Sequence, residues 1–113
     1  MHELSIVMSM VDIVEDELKK SDAARVLEIE LEIGTLSGVI IEAMEFALEE
    51  GVKNTVLSDA EKKIIQIPGK ARCNKCNNEF TTDDLFTPCP KCGSFDSTII
   101  QGEELRIKSI VVE

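Results

Sequence analysis

Residues 73–92 read CNKCNNEFTTDDLFTPCPKC and contain all four cysteines of the chain. Cys73 with Cys76, and Cys89 with Cys92, form two C-x-x-C pairs separated by twelve residues. A pair on a tight turn aims two sulfurs at one point, so two pairs supply the four thiolates that Zn²⁺ takes in closed tetrahedral sites. Asn77 and Gly93 follow the pairs, and both residue types accept the left-handed backbone that such a knuckle requires. Lys75 and Lys91 sit within the pairs, where positive charge offsets four thiolates on a dication. Two disulfides are the competing reading, but this spacing in a reducing compartment favours metal. Neither pair opens a helix after a strand, which argues against a redox dithiol. Zinc in such loops is worth about 10–16 kcal/mol near neutral pH, enough to order a segment with little apolar content. With every coordination position filled by protein, the expected zinc is structural.

The chain around this loop has 113 residues, 43% of them apolar, enough for one modest core beside a small appendage. It has no Trp, no Tyr and four Phe, so that core must be aliphatic. No apolar run has the length of a membrane helix, and Met1-His2-Glu3 carries acid where a secretory leader carries base. A cytoplasmic protein with reduced thiols is expected. Net charge is −10, from 22 acidic and 12 basic residues. That sign opposes a phosphate backbone and speaks against the nucleic-acid binding common among ribbons of this spacing.

Upstream, Leu4, Val7, Val11, Val14 and Leu18 recur at steps of three and four, which predicts an amphipathic helix over residues 3–20. Met8, Met10 and Ile13 widen the stripe as core filler. Leu27, Ile29, Leu31 and Ile33 alternate with Glu28, Glu30 and Glu32, predicting a strand with one buried and one wet face. Gly34 and Gly38 bracket a turn, Ser37 is a candidate N-cap, and residues 39–50 read as a second helix that Gly51 ends. Its inner face would be Ile40, Met44, Ala47 and Leu48. Ile64, Ile65 and Ile67 make a short strand stopped by Pro68-Gly69, which places it at a sheet edge. After the cysteine loop, residues 97–101 read as a short strand and 103–112 as the last. Leu105 and Ile107 share one parity while Ile110 and Val112 share the other, so a β-bulge is expected near Ser109. Arg106 and Lys108 would face Glu28 and Glu30 across the wet side. The expected fold class is α+β. Two helices pack on a small three-stranded mixed or antiparallel sheet, with an inserted four-cysteine zinc-ribbon domain.

His2 is the only histidine. On its own it reads as an ordinary exposed side chain. Its place beside Met1 opens a second reading, because Met1 is expected to be retained before so large a neighbour. The Met1 amine, the His2 amide nitrogen and its imidazole can close fused chelate rings on one ion. Planar nitrogen sets suit Ni²⁺ or Cu²⁺, and Glu3 adds an amide nitrogen and a carboxylate. The residues alone leave both readings open.

The start Met1-His2-Glu3-Leu4-Ser5, the turn Ile33-Gly34-Thr35-Leu36-Ser37-Gly38-Val39 and the two cysteine pairs, in this order, resemble the HypA family. HypA proteins are nickel metallochaperones of [NiFe]-hydrogenase maturation, with relatives that serve urease. The resemblance spans nearly the whole chain. It implies transported Ni²⁺ at Met1, His2 and Glu3, and structural Zn²⁺ at Cys73, Cys76, Cys89 and Cys92. Residues 1–70 and 101–113 would form the nickel-binding α+β domain, and 71–100 the zinc-binding domain. It further implies delivery of nickel to the hydrogenase large subunit with a HypB-type GTPase. Neither nucleic acid nor membrane is expected as a partner, and a monomer or weak homodimer is expected. The rival is a zinc-ribbon protein-interaction adaptor without nickel cargo. An enzyme finds no support, for no histidine accompanies a Ser or Cys nucleophile and no glycine loop would cradle phosphate. Histidines that flank the zinc cysteines in some relatives are absent here.

Overall fold

The computed structural model describes residues 3–113. The elements run α1 (Glu3–Ser21), β1 (Val26–Gly34), α2 (Ile41–Gly51), β2 (Glu61–Ile67), β3 (Lys70–Cys73), β4 (Glu79–Thr81), β5 (Ser97–Gln101) and β6 (Leu105–Val112). The strands form two three-stranded sheets, ordered β2-β1-β6 and β4-β3-β5. Two compact units result: Met1–Leu31 with Val39–Ile64 and Ile107–Glu113, and Glu32–Gly38 with Ile65–Arg106.

In the first unit α1 buries Val7, Met10, Val11, Val14 and Leu18, a stripe at helical spacing. Met8 and Ile13 lie off that stripe and face water, and Leu4 is 54% exposed, against expectation. Leu4 sits in the first turn, where its Cδ1 covers the side of Gly51 that a Cβ would occupy. Helix α2 packs on α1 through Met44, Ala47 and Leu48. The helix starts two residues later than expected, with Ile40 as an uncapped N-cap. Ile40 is therefore exposed, and the amide of Ser37 closes a turn onto the Gly34 carbonyl at 3.1 Å instead of capping.

Strand β1 is the centre of its sheet. Ile29, Leu31 and Ile33 are fully buried, as period-two alternation requires. Leu27, near the strand's start, is 41% exposed. Arg25 exchanges backbone hydrogen bonds with Glu113, and the Gly34 amide donates to the Glu104 carbonyl at 2.7 Å. These pairs count in opposite directions, so β1 and β6 are antiparallel. Lys63 reaches Glu28 at 2.6 Å, while the Thr35 amide donates to Ile67 at 2.9 Å. These count in the same direction, so β1 and β2 are parallel and α2 supplies the crossover that parallel strands need. The edge position expected of β2 holds.

The three glutamates of β1 are each met by a cation, Glu30 by one of the two expected and Glu28 and Glu32 by ones not expected of them. Glu28 takes Lys63 at 2.6 Å, Glu30 takes Lys108 at 3.8 Å and Glu32 takes Arg106 at 2.6 Å. Arg106 meets Glu32 and not Glu28 or Glu30, which leaves Glu28 to Lys63 of the edge strand β2. Along β6 the exposure pattern changes phase at Lys108 and Ser109, both exposed, where the change of parity was expected.

In the second unit the turn after β1 is stitched to its surroundings. The Leu36 amide donates to the Gly102 carbonyl at 2.8 Å, and Gly69 and Gly102 crowd against Leu36. Strand β3 pairs antiparallel with both β4 and β5. The core of this ribbon is Ala71, Cys73, Phe80 and Cys89, with Ile99 against it.

Candidate metal centre

The two cysteine pairs sit on two copies of one backbone turn. In the first, the Asn77 amide donates to the Cys73 carbonyl at 2.9 Å and the Cys73 amide to the Asn78 carbonyl at 2.8 Å. In the second, the Gly93 amide donates to the Cys89 carbonyl at 2.8 Å and the Cys89 amide to the Ser94 carbonyl at 2.9 Å. Asn77 has φ 63° and Gly93 φ 75°, the left-handed backbone expected of them and readily adopted by Gly and Asn.

The four Sγ atoms lie within 4.8 Å of one another. Cys73 and Cys92 stand 3.5 Å apart, and Cys76 and Cys89 3.6 Å apart. These contacts cross between the knuckles. They are far longer than an S–S bond of about 2.05 Å. A tetrahedron with metal–sulfur bonds of about 2.3 Å has edges of about 3.8 Å, so the spacing fits one ion at the centre. Cys73 and Cys89 are buried, whereas Cys76 and Cys92 are exposed.

The thiols are electrostatically unequal. Backbone N–H groups, first that of Cys76 and then that of Lys75, outweigh burial and lower Cys73. Burial alone would raise Cys89, but the N–H groups of Cys92 and Lys91 and the Asn78 amide bring it down to about 6. The Ser94 N–H favours the Cys92 thiolate, yet the Cys73 sulfur, burial and the other two sulfurs push it up to about 11. Cys76 is raised the same way: its Asn78 N–H is outweighed by burial and by Cys89 and Cys73. Four thiolates cannot ionise side by side without a cation, and two are held ready. The lysines inside the pairs act on Cys73 and Cys89 through their backbone amides.

Two supporting residues carry no signal in the cysteine spacing. Asn78 Nδ2 points to Cys89 Sγ at 3.7 Å, linking one knuckle to the other. Asn74 Nδ2 donates to Asp96 Oδ1 at 3.0 Å, and Thr98 Oγ1 donates to Asn74 Oδ1 at 3.1 Å. Amides framing a metal knuckle are a cue that the repeated Asn-rich spelling Asn74, Asn77 and Asn78 offers only in hindsight. Of the proposed nickel ligands, Met1 and His2 lie outside the described residues, and Glu3 opens α1.

Fold and site define a small α+β metal-binding protein with one four-thiol centre. No described helix is long and apolar enough to cross a membrane. The model of the HypA family, "Hydrogenase/urease nickel incorporation, metallochaperone, hypA", matches residues 1–112, and this chain belongs to that family. The hydrogenase maturation factor HypA of Parabacteroides distasonis is 46% identical over 113 residues, covering 100% of this chain and 98% of its own length. The solution structure of the Ni metallochaperone HypA from Helicobacter pylori covers 99% of this chain and 97% of its own, at 28% identity and a TM-score of 0.69. A further solution structure of a HypA protein gives 29% identity and a TM-score of 0.73, covering 100% of this chain and 97% of its own. The family is one of metallochaperones, not enzymes.

Proposed function

We propose that this chain carries Ni²⁺ for [NiFe]-hydrogenase maturation in the cytoplasm, holding it at the Met1 amine, His2 and the backbone of Glu3. The observation that carries the reading is membership of a nickel-incorporation family over residues 1–112, in a chain whose only histidine is His2. Cys73, Cys76, Cys89 and Cys92 hold a structural Zn²⁺, supported by sulfur spacing that suits a tetrahedral ion. Residues 1–70 and 101–113 serve as the nickel-binding part, and 71–100 as the zinc-binding part. The partners are a HypB-type GTPase and the hydrogenase large subunit.

Ligands at a chain end suit a carrier, since a recipient can compete for them. Cu²⁺ outranks Ni²⁺ on nitrogen donors, so selectivity rests on geometry and on metal supply. The amine and imidazole titrate near about 8 and about 6.5 when free, and both must lose protons to bind. Nickel affinity therefore falls on acidification.

Elemental analysis and nickel titration of untagged protein with its native start test the reading, beside His2→Ala and a variant with one residue added before Met1. The expected result is nickel and zinc in the parent, and zinc alone in both variants. Unchanged nickel in either variant overturns the ligand set. Zinc without nickel in the parent leaves the interaction-adaptor reading instead.

A further inference from the structure

The chain spends its few aromatic side chains on the surface. Of four Phe, only Phe80 is buried, while Phe46, Phe86 and Phe95 are 65%, 81% and 73% exposed. Phe46 stands on α2 in a setting that identifies what would cover it. The inner face of α2 is Met44, Ala47 and Leu48, and at 100° per residue Phe46 points almost directly away from their mean direction. Its neighbours at i−4, i+3 and i+4 are Glu42, Glu49 and Glu50, and Glu45 borders the same exposed arc. The outward surface is thus one aromatic ring framed by carboxylates.

Two contrasts set this face apart. The three glutamates of β1 each have a cationic partner. On α2 a single cation, Lys53, serves the whole face: it pairs with Glu50 at 2.8 Å and also acts on Glu49, while among the described residues Glu42 and Glu45 form no ion pair. The last turn of α2 also holds Glu49 and Glu50 with no basic residue, against the preference of a helix C-terminus for cations. Local stability would favour lysines there.

We propose that the outer face of α2 is a docking surface for a partner protein that presents an apolar socket rimmed by lysine and arginine. Phe46 is the anchor, and Glu42, Glu45 and Glu49 form the charged rim, the arrangement in which a buried aromatic centre carries the energy and charges set orientation. Charge selects the occupant. A second copy pairing through the same face would set glutamate against glutamate, and anionic lipid or nucleic acid would be repelled. None of the residues assigned to nickel or zinc belongs to this surface, which holds whether or not nickel is carried.

The test uses the whole protein and two synthetic helical peptides, each with one leucine stripe, flanked by lysines in one and by glutamates in the other. NMR titration is expected to shift α2 amides around Phe46 with the lysine peptide only, more weakly as salt rises. Phe46→Ser should lower that affinity about tenfold or more, as loss of an anchor does. Its circular dichroism should be unchanged, because the side chain is already exposed. Glu42→Lys with Glu49→Lys should exchange the preference to the glutamate peptide. No α2 shift, equal affinity in Phe46→Ser, or no exchange of preference overturns the proposal. So does a dimer by sedimentation that Phe46→Ser disperses, which would make a second copy the occupant.

Discussion

Gly34 lies so close to Gly102 that a Cβ on Gly34 would overlap the Gly102 carbonyl. The same contact region holds the Leu36 amide against that carbonyl at 2.8 Å. Backbone cannot retreat as a flexible side chain can, so Gly34→Ala should cost at least about 3 kcal/mol. Urea unfolding measures it.

Gly93 gives the opposite case. Nothing stands within 4 Å of a Cβ placed there, but φ is +75°. Asn77 holds the equivalent place in the other knuckle at φ 63°. Gly93→Ala is therefore expected to lose about 1–2 kcal/mol through backbone strain, and Gly93→Asn much less. Thermal unfolding of the zinc-loaded pair distinguishes them, and equal losses would show that strain is not the cause.

The alternation of β1 can be read as energies. Ile29 is fully buried, so Ile29→Ala should cost about 2–5 kcal/mol. Glu30 meets Lys108 at 3.8 Å at the surface, so Glu30→Ala should cost less than about 1 kcal/mol. Denaturant midpoints at matched slope provide the comparison.

Removal of metal, by a chelator or by Cys73→Ser, should melt the ribbon first. Its core is only Ala71, Cys73, Phe80, Cys89 and Ile99, and two of those are ligand positions. The core of α1, β1 and α2 contains none of the cysteines, so helical circular dichroism should persist while ribbon amides lose hydrogen-exchange protection. Loss of all secondary structure together would contradict this.

Metal affinity at the cysteines should fall with acidification, and the proton count should depend on pH. Cys92 is pushed up to about 11 and Cys76 is raised, so both release protons on binding at neutral pH. Cys89 lies at about 6 and adds a proton only as pH falls through that value. Calorimetry in buffers of different ionisation enthalpy counts the protons. Asn78→Ala, which removes the amide at 3.7 Å from Cys89, should weaken metal binding about 10–100-fold.

Much of this was legible in the residues. The faultless alternation from Ile29 to Ile33 marks a half-buried strand because burial imposes period two, and the two C-x-x-C pairs mark a convergent sulfur set. Strands β3 and β4, at 4 and 3 residues, are too short to show a period. Their pairing is set by the knuckles, so they read as part of a loop. Ile40 and Leu4 were misplaced because periodicity at a helix end cannot say where the helix begins or what covers its first turn. The partners of Glu28 and Glu32 depended on strand register, which β6 takes from the turn near Gly34 and Gly102 and not from its own composition. The reading of His2 as a nickel ligand rests on its place beside Met1 and on the family resemblance, and both residues lie outside the described ones.

Lys70 faces Gln101 across the pairing of β3 with β5, so the thirty residues between them leave and rejoin at a doorway about 5 Å wide. A segment tethered in this way can lengthen, shorten or be exchanged at modest entropic cost, since closure depends only weakly on length. The stretch 71–100 is in that sense a tethered excursion, and a change in its length need not move Lys70 or Gln101.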